Sequence, residues 1–387
     1  IRLLIKGIGF FLFTLILIFG CYYFLKLYHA KKLYSSLGSS PSSIIEENFT
    51  FRDLNKNGRL DVYEDFREPI DKRAEDLLNQ MTIEEKIGQM FITMIGMGRS
   101  GGHLDVPPIM VDFFDDPLLE FGLYFSLETN AEMIVNRKMS HFNILQAYTP
   151  EAIARFNNNL QKKAERTRLG IPVTIATDPR HGAREDEKGV GGIFTSSFSR
   201  WPTSLGLAAT RDSTLVREFG EIAREEYKAC GIRLALHPMA DLATEPRWAR
   251  INGTFGEDAE LSAAMTYSYI KGFQGDTLSS KSVITMVKHF SGGGPQKDGE
   301  DAHFPYGKEQ VYPGDNFDYH LIPFTKGALP ANTGQIMPYY GIPVGQTKEE
   351  VGFGFNKEII TELLRDSLKF DGVVCTDSNI INTMPLA

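Results

Sequence analysis

At 387 residues, with 42% hydrophobic and 23% charged side chains, the chain is long enough for two or three ordinary domains, or for one α/β barrel with attachments. A formal net charge of −8 with no long basic block argues against nucleic acid as the main partner, because binding it needs clustered Lys and Arg. The three cysteines, Cys21, Cys230 and Cys375, are odd in number and far apart, so neither a disulfide framework nor a zinc pattern follows. Cys230 and Cys375 stand in apolar contexts and read as small buried hydrophobes.

The first predicted element is an apolar helix. GIGFFLFTLILIFGCYYFL, residues 7–25, carries no charge and is about long enough to cross a bilayer core. It reads as a signal-anchor within residues 1–34; the alternatives are a signal peptide or a lipoprotein leader cleaved near Cys21. Any of these places the rest of the chain outside the cytoplasm, in the periplasm or at the cell surface. Positive charges flank the segment on both sides, so charge alone does not set its orientation.

Residues 35–67 read as a Ser-rich linker followed by a calcium-loop pattern. DLNKNGRLDVYE, residues 53–64, fits D-x-[DN]-x-[DN]-G-x5-E at every position. Asp53, Asn55, Asn57 and Asp61 would give side-chain oxygens, Arg59 its carbonyl and Glu64 a bidentate carboxylate, with Gly58 at the sharp turn. The other reading is a solvated Asn/Gly turn. A calcium ion here would be structural, and no cofactor is expected for catalysis.

From residue 68 onward helical and strand patterns alternate. Helical periodicity covers 71–90, 150–167, 211–229, 257–273, 316–329 and 356–369; short apolar runs lie at 171–176, 232–236, 283–287, 334–337 and 372–375. Such alternation predicts an α/β fold with a parallel sheet, doubly wound or closed into a barrel. No Gly-rich phosphate loop follows a strand, which argues against nucleotide binding.

Each apolar run stops at, or shortly before, a polar group. The runs lead to Asp178, to Asp241 and then Arg247 and Arg250, to Lys288-His289, to Tyr339-Tyr340, and to Asp377. Singly, Asp178 and Asp377 read as caps, Arg250 as a surface charge, His289 as a structural histidine and Tyr340 as packing. Lys288 directly after a buried strand is harder to dismiss, because a buried ammonium needs partners. At the carboxyl ends of barrel strands these side chains would share one face and form a pocket of mixed charge. Such a pocket suits a neutral, polyhydroxylated ligand.

These residues resemble glycoside hydrolase family 3, in its β-glucosidase and exo-glucanase branch. The resemblance runs from about residue 68 to 387 through RAEDLLNQMTIEEKIGQM, IPVTIATDPRHG, EPRWARINGTFGEDAEL, SVITMVKHFSGGG, QIMPYYG and FDGVVCTD. It implies a (β/α)8 TIM-type barrel as first domain. It also implies retaining, exo-acting removal of terminal β-D-glucosyl, sometimes β-xylosyl, units from a β-linked oligosaccharide or glucoside. By motif, Asp377 matches the nucleophile, and Asp178, Arg250, Lys288 and His289 match residues that hold sugar hydroxyls. Tyr340 matches the tyrosine near the nucleophile, with Tyr339 as the other candidate.

Two departures from the family pattern stand out. Ser378 occupies the position after the nucleophile where the family usually has Trp. The acid/base of this branch is a Glu on a following α/β sandwich domain, expected beyond residue 387. One internal substitute is Asp301-Ala302-His303, which resembles the Asp-x-His acid/base pair of the family's N-acetylglucosaminidase branch. Two rival readings remain at this point. One is a membrane-tethered carbohydrate-binding protein without turnover. The other is a metal-dependent barrel hydrolase, disfavoured because only His181 and His289 closely follow strands and no H-x-H or H-E-x-x-H occurs.

Overall fold

The computed structural model describes residues 2–98, 100–103, 105, 128–144, 149–182, 198–378 and 380. It opens with one long helix, Arg2–Ser35, in whose apolar stretch Phe10 is 73% and Ile16 68% exposed. From Lys6 to Ser35 it is long and apolar enough to cross a membrane. Its last turns pack instead. Ala30 is buried, His29 Nε2 lies 3.2 Å from Glu132 Oε2, and Tyr34 OH donates to Asp105 Oδ1 at 3.2 Å.

The stretch read as linker is largely ordered structure. β1 (Ser42–Glu46) and β2 (Phe49–Asp53) form an antiparallel hairpin. Its two-residue turn, Glu47-Asn48, has φ of 48° and 66°. Positive φ at both turn positions matches the right-handed twist of the strands. A Glu in the first of those positions is a poor signature, which is why composition pointed to a linker.

The pattern at 71–90 forms two helices, Ile70–Gln80 and Ile83–Gln89. Thr82 divides them. Its hydroxyl accepts from Glu85 N–H at 3.3 Å, while Glu85 Oε2 accepts from Thr82 N–H at 2.9 Å. This reciprocal cap starts a new helix inside one hydrophobic period.

The chain divides into two compact units at the boundary between Ile175 and Ala176. In the first, β3 (Ile92–Ile95) pairs in parallel with β4 (His141–Ile144), and the helix Pro150–Ala164 follows, capped by Thr149. The strand β5 (Thr174–Thr177) crosses the division. In the second unit, β6 (Ile232–Ala235), β7 (Ile284–Phe290), β9 (Gln335–Pro338) and β11 (Val373–Val374) pair in that order, all parallel. A small parallel pair, β8 (Glu309–Gln310) with β10 (Ile342–Pro343), stands beside this set. Helices Ser213–Ala229 and Ala259–Gln274 follow β5 and β6; a short helix, Ser204–Ala209, precedes them. Helix Phe317–Ile322 runs into a wide π-turn at Pro323–Ala328 after β7, and a π-helical segment at Glu358–Ser367 precedes β11.

All five apolar runs of the sequence thus overlap strands, and the fold is α/β with parallel pairing. The core of the second unit is aromatic and aliphatic: Trp248, Phe290, Phe324, Tyr339 and Phe353 pack with Val287 and Ile336.

Candidate active site

In the second unit the polar strand-end residues meet in two groups, Lys288 with Asp178 and His289 with Asp241, Arg250 and Asp377. Lys288 Nζ lies 3.2 Å from Asp178 Oδ1, with the lysine side chain 9% and the aspartate 25% exposed. The carboxylate answers the requirement that a buried ammonium be paired. Asp178 comes directly after β5, and Lys288 stands near the carboxyl end of β7.

His289 follows Lys288, and regular alternation would send the two side chains to opposite faces. The ladder is irregular here. Lys288 pairs with Met337 and Phe290 with Pro338, so His289 is the extra residue of a β-bulge. Bulges re-aim side chains, often beside active sites.

His289 is held by Asp241, a residue at the end of the segment after β6. Its Nδ1 lies 2.8 Å from Asp241 Oδ2, and its backbone N–H donates to both carboxylate oxygens at 3.2–3.3 Å. Gly293 N–H also donates to Asp241 Oδ1. The glycine run after His289 is sterically required: a Cβ on Gly293 would sit 2.8 Å from Asp241 Oδ1, and one on Gly294 would sit 1.7 Å from Leu242 O. Burial of Asp241 favours its neutral form. His289, the amide of Gly293 and Arg250 outweigh this, and the carboxyl stays below its ordinary pKa. For His289, burial together with the Arg250 cation outweighs two nearby carboxylates, and the imidazole pKa falls below 6.5.

The other imidazole nitrogen faces the tip of β11. His289 Nε2 is 3.7 Å from Asp377 Oδ2 and 3.5 Å from Arg250 Nη1. Asp377 is 8% exposed; its Oδ1 accepts Ser378 N–H at 2.7 Å, and its buried Oδ2 has no hydrogen-bond partner among the described residues. Arg250 is partly buried, which opposes its charge. Tyr339, Asp377, Asp241 and Asp301 nearby more than compensate and hold it above its ordinary value.

Both tyrosines after β9 reach this centre. Tyr339 packs its ring 4.6 Å from the His289 ring. Tyr340 donates its hydroxyl to Ser378 O at 2.8 Å, and burial beside Asp377 pushes its pKa up. Ser378 therefore contributes its backbone on both sides of the nucleophile candidate.

Asp301 and His303 also meet. His303 Nδ1 contacts Asp301 Oδ1, Trp248 Nε1–H donates to Asp301 Oδ2 at 2.9 Å, and the His303 ring lies 4.9 Å from that of Tyr340. Burial would raise the pKa of Asp301, but its bonds to His303 and Trp248 hold it well below the usual range. Asp241 was named from sequence among the strand-end polar groups but given no role of its own, and Trp248 was not singled out. The signal for Asp241 was its place after an apolar run, like the others.

The calcium-loop residues form a closed turn in the first unit. Asp53 accepts the N–H groups of Asn57 and Gly58 at 3.0 Å each, and Glu64 Oε1 accepts that of Leu54 at 2.6 Å. Asn55 and Asn57 amides donate to Asp61, at 2.5 and 2.6 Å; Arg59 N–H donates to Asn57 Oδ1, and Gly58 has φ +77°. Among the described residues no group of three or more His, Cys, Asp or Glu is arranged to hold a metal ion.

Residues 82–385 match the family model described as Glycosyl hydrolase family 3 N terminal domain. The chain belongs to glycosyl hydrolase family 3. Within that family it is 51% identical over 332 residues to "Beta-glucosidase C" of Emericella nidulans, covering 85% of this chain and 50% of that protein. It is 43% identical over 347 residues to "Periplasmic beta-glucosidase/beta-xylosidase" of Dickeya chrysanthemi, covering 88% of this chain and 50% of that protein. Among solved structures, a mutant beta-glucosidase from Listeria innocua in complex with laminaribiose has a TM-score of 0.59 at 21% identity, covering 81% of this chain and 38% of that one. That likeness concerns the fold. The chain spans about half the length of the curated relatives it matches.

Proposed function

We propose that this family 3 chain carries the nucleophile and sugar-binding pocket of a retaining, exo-acting β-glucosidase. The observation that carries the reading is Asp377: a nearly buried carboxylate with one bare oxygen, facing an imidazole and a guanidinium at the tip of a strand. The carboxylate attacks the anomeric carbon of a terminal β-D-glucosyl unit and forms a glycosyl ester. The glycosidic C–O bond breaks, the departing oxygen takes a proton from a general acid, and water later cleaves the ester. Asp178, Lys288, His289 and Arg250 hold the sugar hydroxyls, and Tyr340 braces the loop that carries Asp377. The α/β scaffold is read as a (β/α)8 barrel, whose carboxyl-end face would collect these residues.

The Asp301–His303 contact favours a second reading for the proton donor. An imidazole oriented by a carboxylate and edge-on to Tyr340 has the chemistry of a proton donor. In the first reading the acid is a Glu supplied by a further domain.

We further propose that residues 7–25 anchor the chain in a membrane, with the remainder outside the cytoplasm. Loop 53–64 is proposed to take calcium in a structural role. A carboxylate oxygen bonded to one amide keeps a second lone pair for a cation.

The test is a single-turnover reaction with a 2-fluoro-glucoside bearing an activated leaving group, which scarcely needs acid assistance. Mass spectrometry then locates the adduct. The expected result is a glycosyl ester on Asp377. An adduct elsewhere removes Asp377 as nucleophile; sugar binding without any adduct favours a carbohydrate-binding protein.

A further inference from the structure

Asp241 and His289 form a buried pair, 0% and 1% exposed, whose outer nitrogen looks into the proposed sugar pocket. The charged and titratable groups facing the imidazole are Asp241, Arg250, Asp377 and Tyr339. An ionised carboxylate only accepts hydrogen bonds, so the ring nitrogen 2.8 Å from Asp241 must carry a proton. With the ring neutral, Nε2 then has no proton and presents a lone pair. Two features agree with this. Arg250, which can only donate, is the nearer of two polar groups at Nε2, at 3.5 Å. Asp377 Oδ2, an acceptor, stands 3.7 Å from Nε2, too far for a hydrogen bond between them, as a deprotonated Nε2 allows.

We infer that Asp241 is a positioning residue that fixes His289 as the Nδ1–H tautomer, so that His289 recognises a sugar hydroxyl as a hydrogen-bond acceptor. This rests on the glucosidase reading and deepens it. The hydroxyl donates its proton to Nε2 and turns its oxygen lone pairs toward donors such as Arg250. The pocket therefore requires a donor at that position, and fluorine, which accepts but cannot donate, is a poor replacement. The arrangement also keeps a proton away from Asp377 Oδ2 and leaves that oxygen available as a nucleophile.

Asp241→Asn makes the logic testable. Asp241 receives proton donors on both oxygens, and an amide can accept on only one side. Turning its oxygen toward Gly293 N–H leaves its NH2 facing Nδ1. The imidazole then moves its proton to Nε2, where it points at Asp377.

The experiment uses the whole chain, 15N-labelled at histidine, and reads the His289 tautomer by long-range 1H–15N correlation without ligand. An Nδ1–H ring in the wild type and an Nε2–H ring in Asp241→Asn are expected. Titration with glucose and its four monodeoxyfluoro analogues at the 2, 3, 4 and 6 positions follows. One analogue is expected to bind wild type about tenfold more weakly than glucose, a margin that shrinks in the variant. A wild-type Nε2–H ring overturns the inference whatever the chain binds, and should Asp241→Asn fail to fold, this wild-type reading still decides. Equal binding of all four analogues and glucose also overturns it. An Nδ1–H ring in a chain that binds no glucose overturns the glucosidase reading instead.

Discussion

Asp377 is 8% exposed and shares its surroundings with Arg250 and His289, so its carboxylate can be spared water without being left uncompensated. Asp377→Asn keeps the shape and the bond from Ser378 N–H but cannot attack carbon. Turnover is expected to vanish while circular dichroism and Tm stay close to wild type; rates like those of wild type would remove Asp377 as nucleophile. The Asp301–His303 contact gives a second prediction. If this dyad is the proton donor, Asp301→Asn lowers rates on glucosides with poor leaving groups by about 10²–10⁴-fold and scarcely changes those with activated ones. Equal effects on both, or none, would assign the acid elsewhere. Asp377 and His289 were legible because each follows an apolar run, and Asp301 and His303 because they resemble a family acid/base pair. Their partners were not: the bond from His289 to Asp241, and that from Trp248 to Asp301, join positions 48 and 53 residues apart.

At the scale of elements, the sequence showed where apolar runs end but not how local hydrogen bonds cut them. The pattern over 71–90 runs straight through Thr82, yet the reciprocal bonds of Thr82 and Glu85 begin a second helix there. Glu85 also pairs with Arg168, so the cap is tied to a distant segment of the same unit. Thr82→Ala should destabilise the protein by about 1 kcal/mol in denaturant unfolding, and an unchanged midpoint would show the cap to be dispensable. The loop 53–64 carries its own prediction. If it takes calcium, a hundredfold excess over Kd raises stability by about 2.7 kcal/mol and chelator reverses the gain. A Tm indifferent to both would leave the loop as a self-bonded Asn/Gly turn. The hairpin Ser42–Asp53 was hidden because its turn conformation falls on Glu47-Asn48 rather than on a glycine pair.

For the molecule as a whole, buried histidines set the response to acid. His103, His141, His181, His237, His289 and His320 all have depressed pKa values, chiefly through burial, with His103 and His320 near 4. The unfolded chain binds these protons near pH 6.5 and the folded chain only at lower pH. Between those values the unfolded state carries more protons, so stability is full above about pH 6.5 and falls as pH drops toward about 4. Thermal unfolding followed from about pH 7 to about pH 5 should show a decreasing Tm. A flat or rising Tm over that window would mean that these rings are protonated in the fold. The apolar helix works at the same scale: Phe10 and Ile16 of its apolar stretch are exposed, while its last turns are fastened through His29, Ala30 and Tyr34. A membrane held by residues 7–25 would therefore meet an ordered helix rather than a loose linker.

The sequence by itself determined the α/β alternation, the five apolar runs that overlap strands, the polar residue after each, and the family these motifs resemble. Periodicity and strand-end chemistry are local, so they survive in a linear text. The tertiary structure decided which polar residues meet. It paired Lys288 with Asp178, placed His289 at a bulge in the β7–β9 ladder, and set Asp241 against the imidazole. Those outcomes depend on strand register and on contacts between residues far apart in the chain, and no local pattern encodes either.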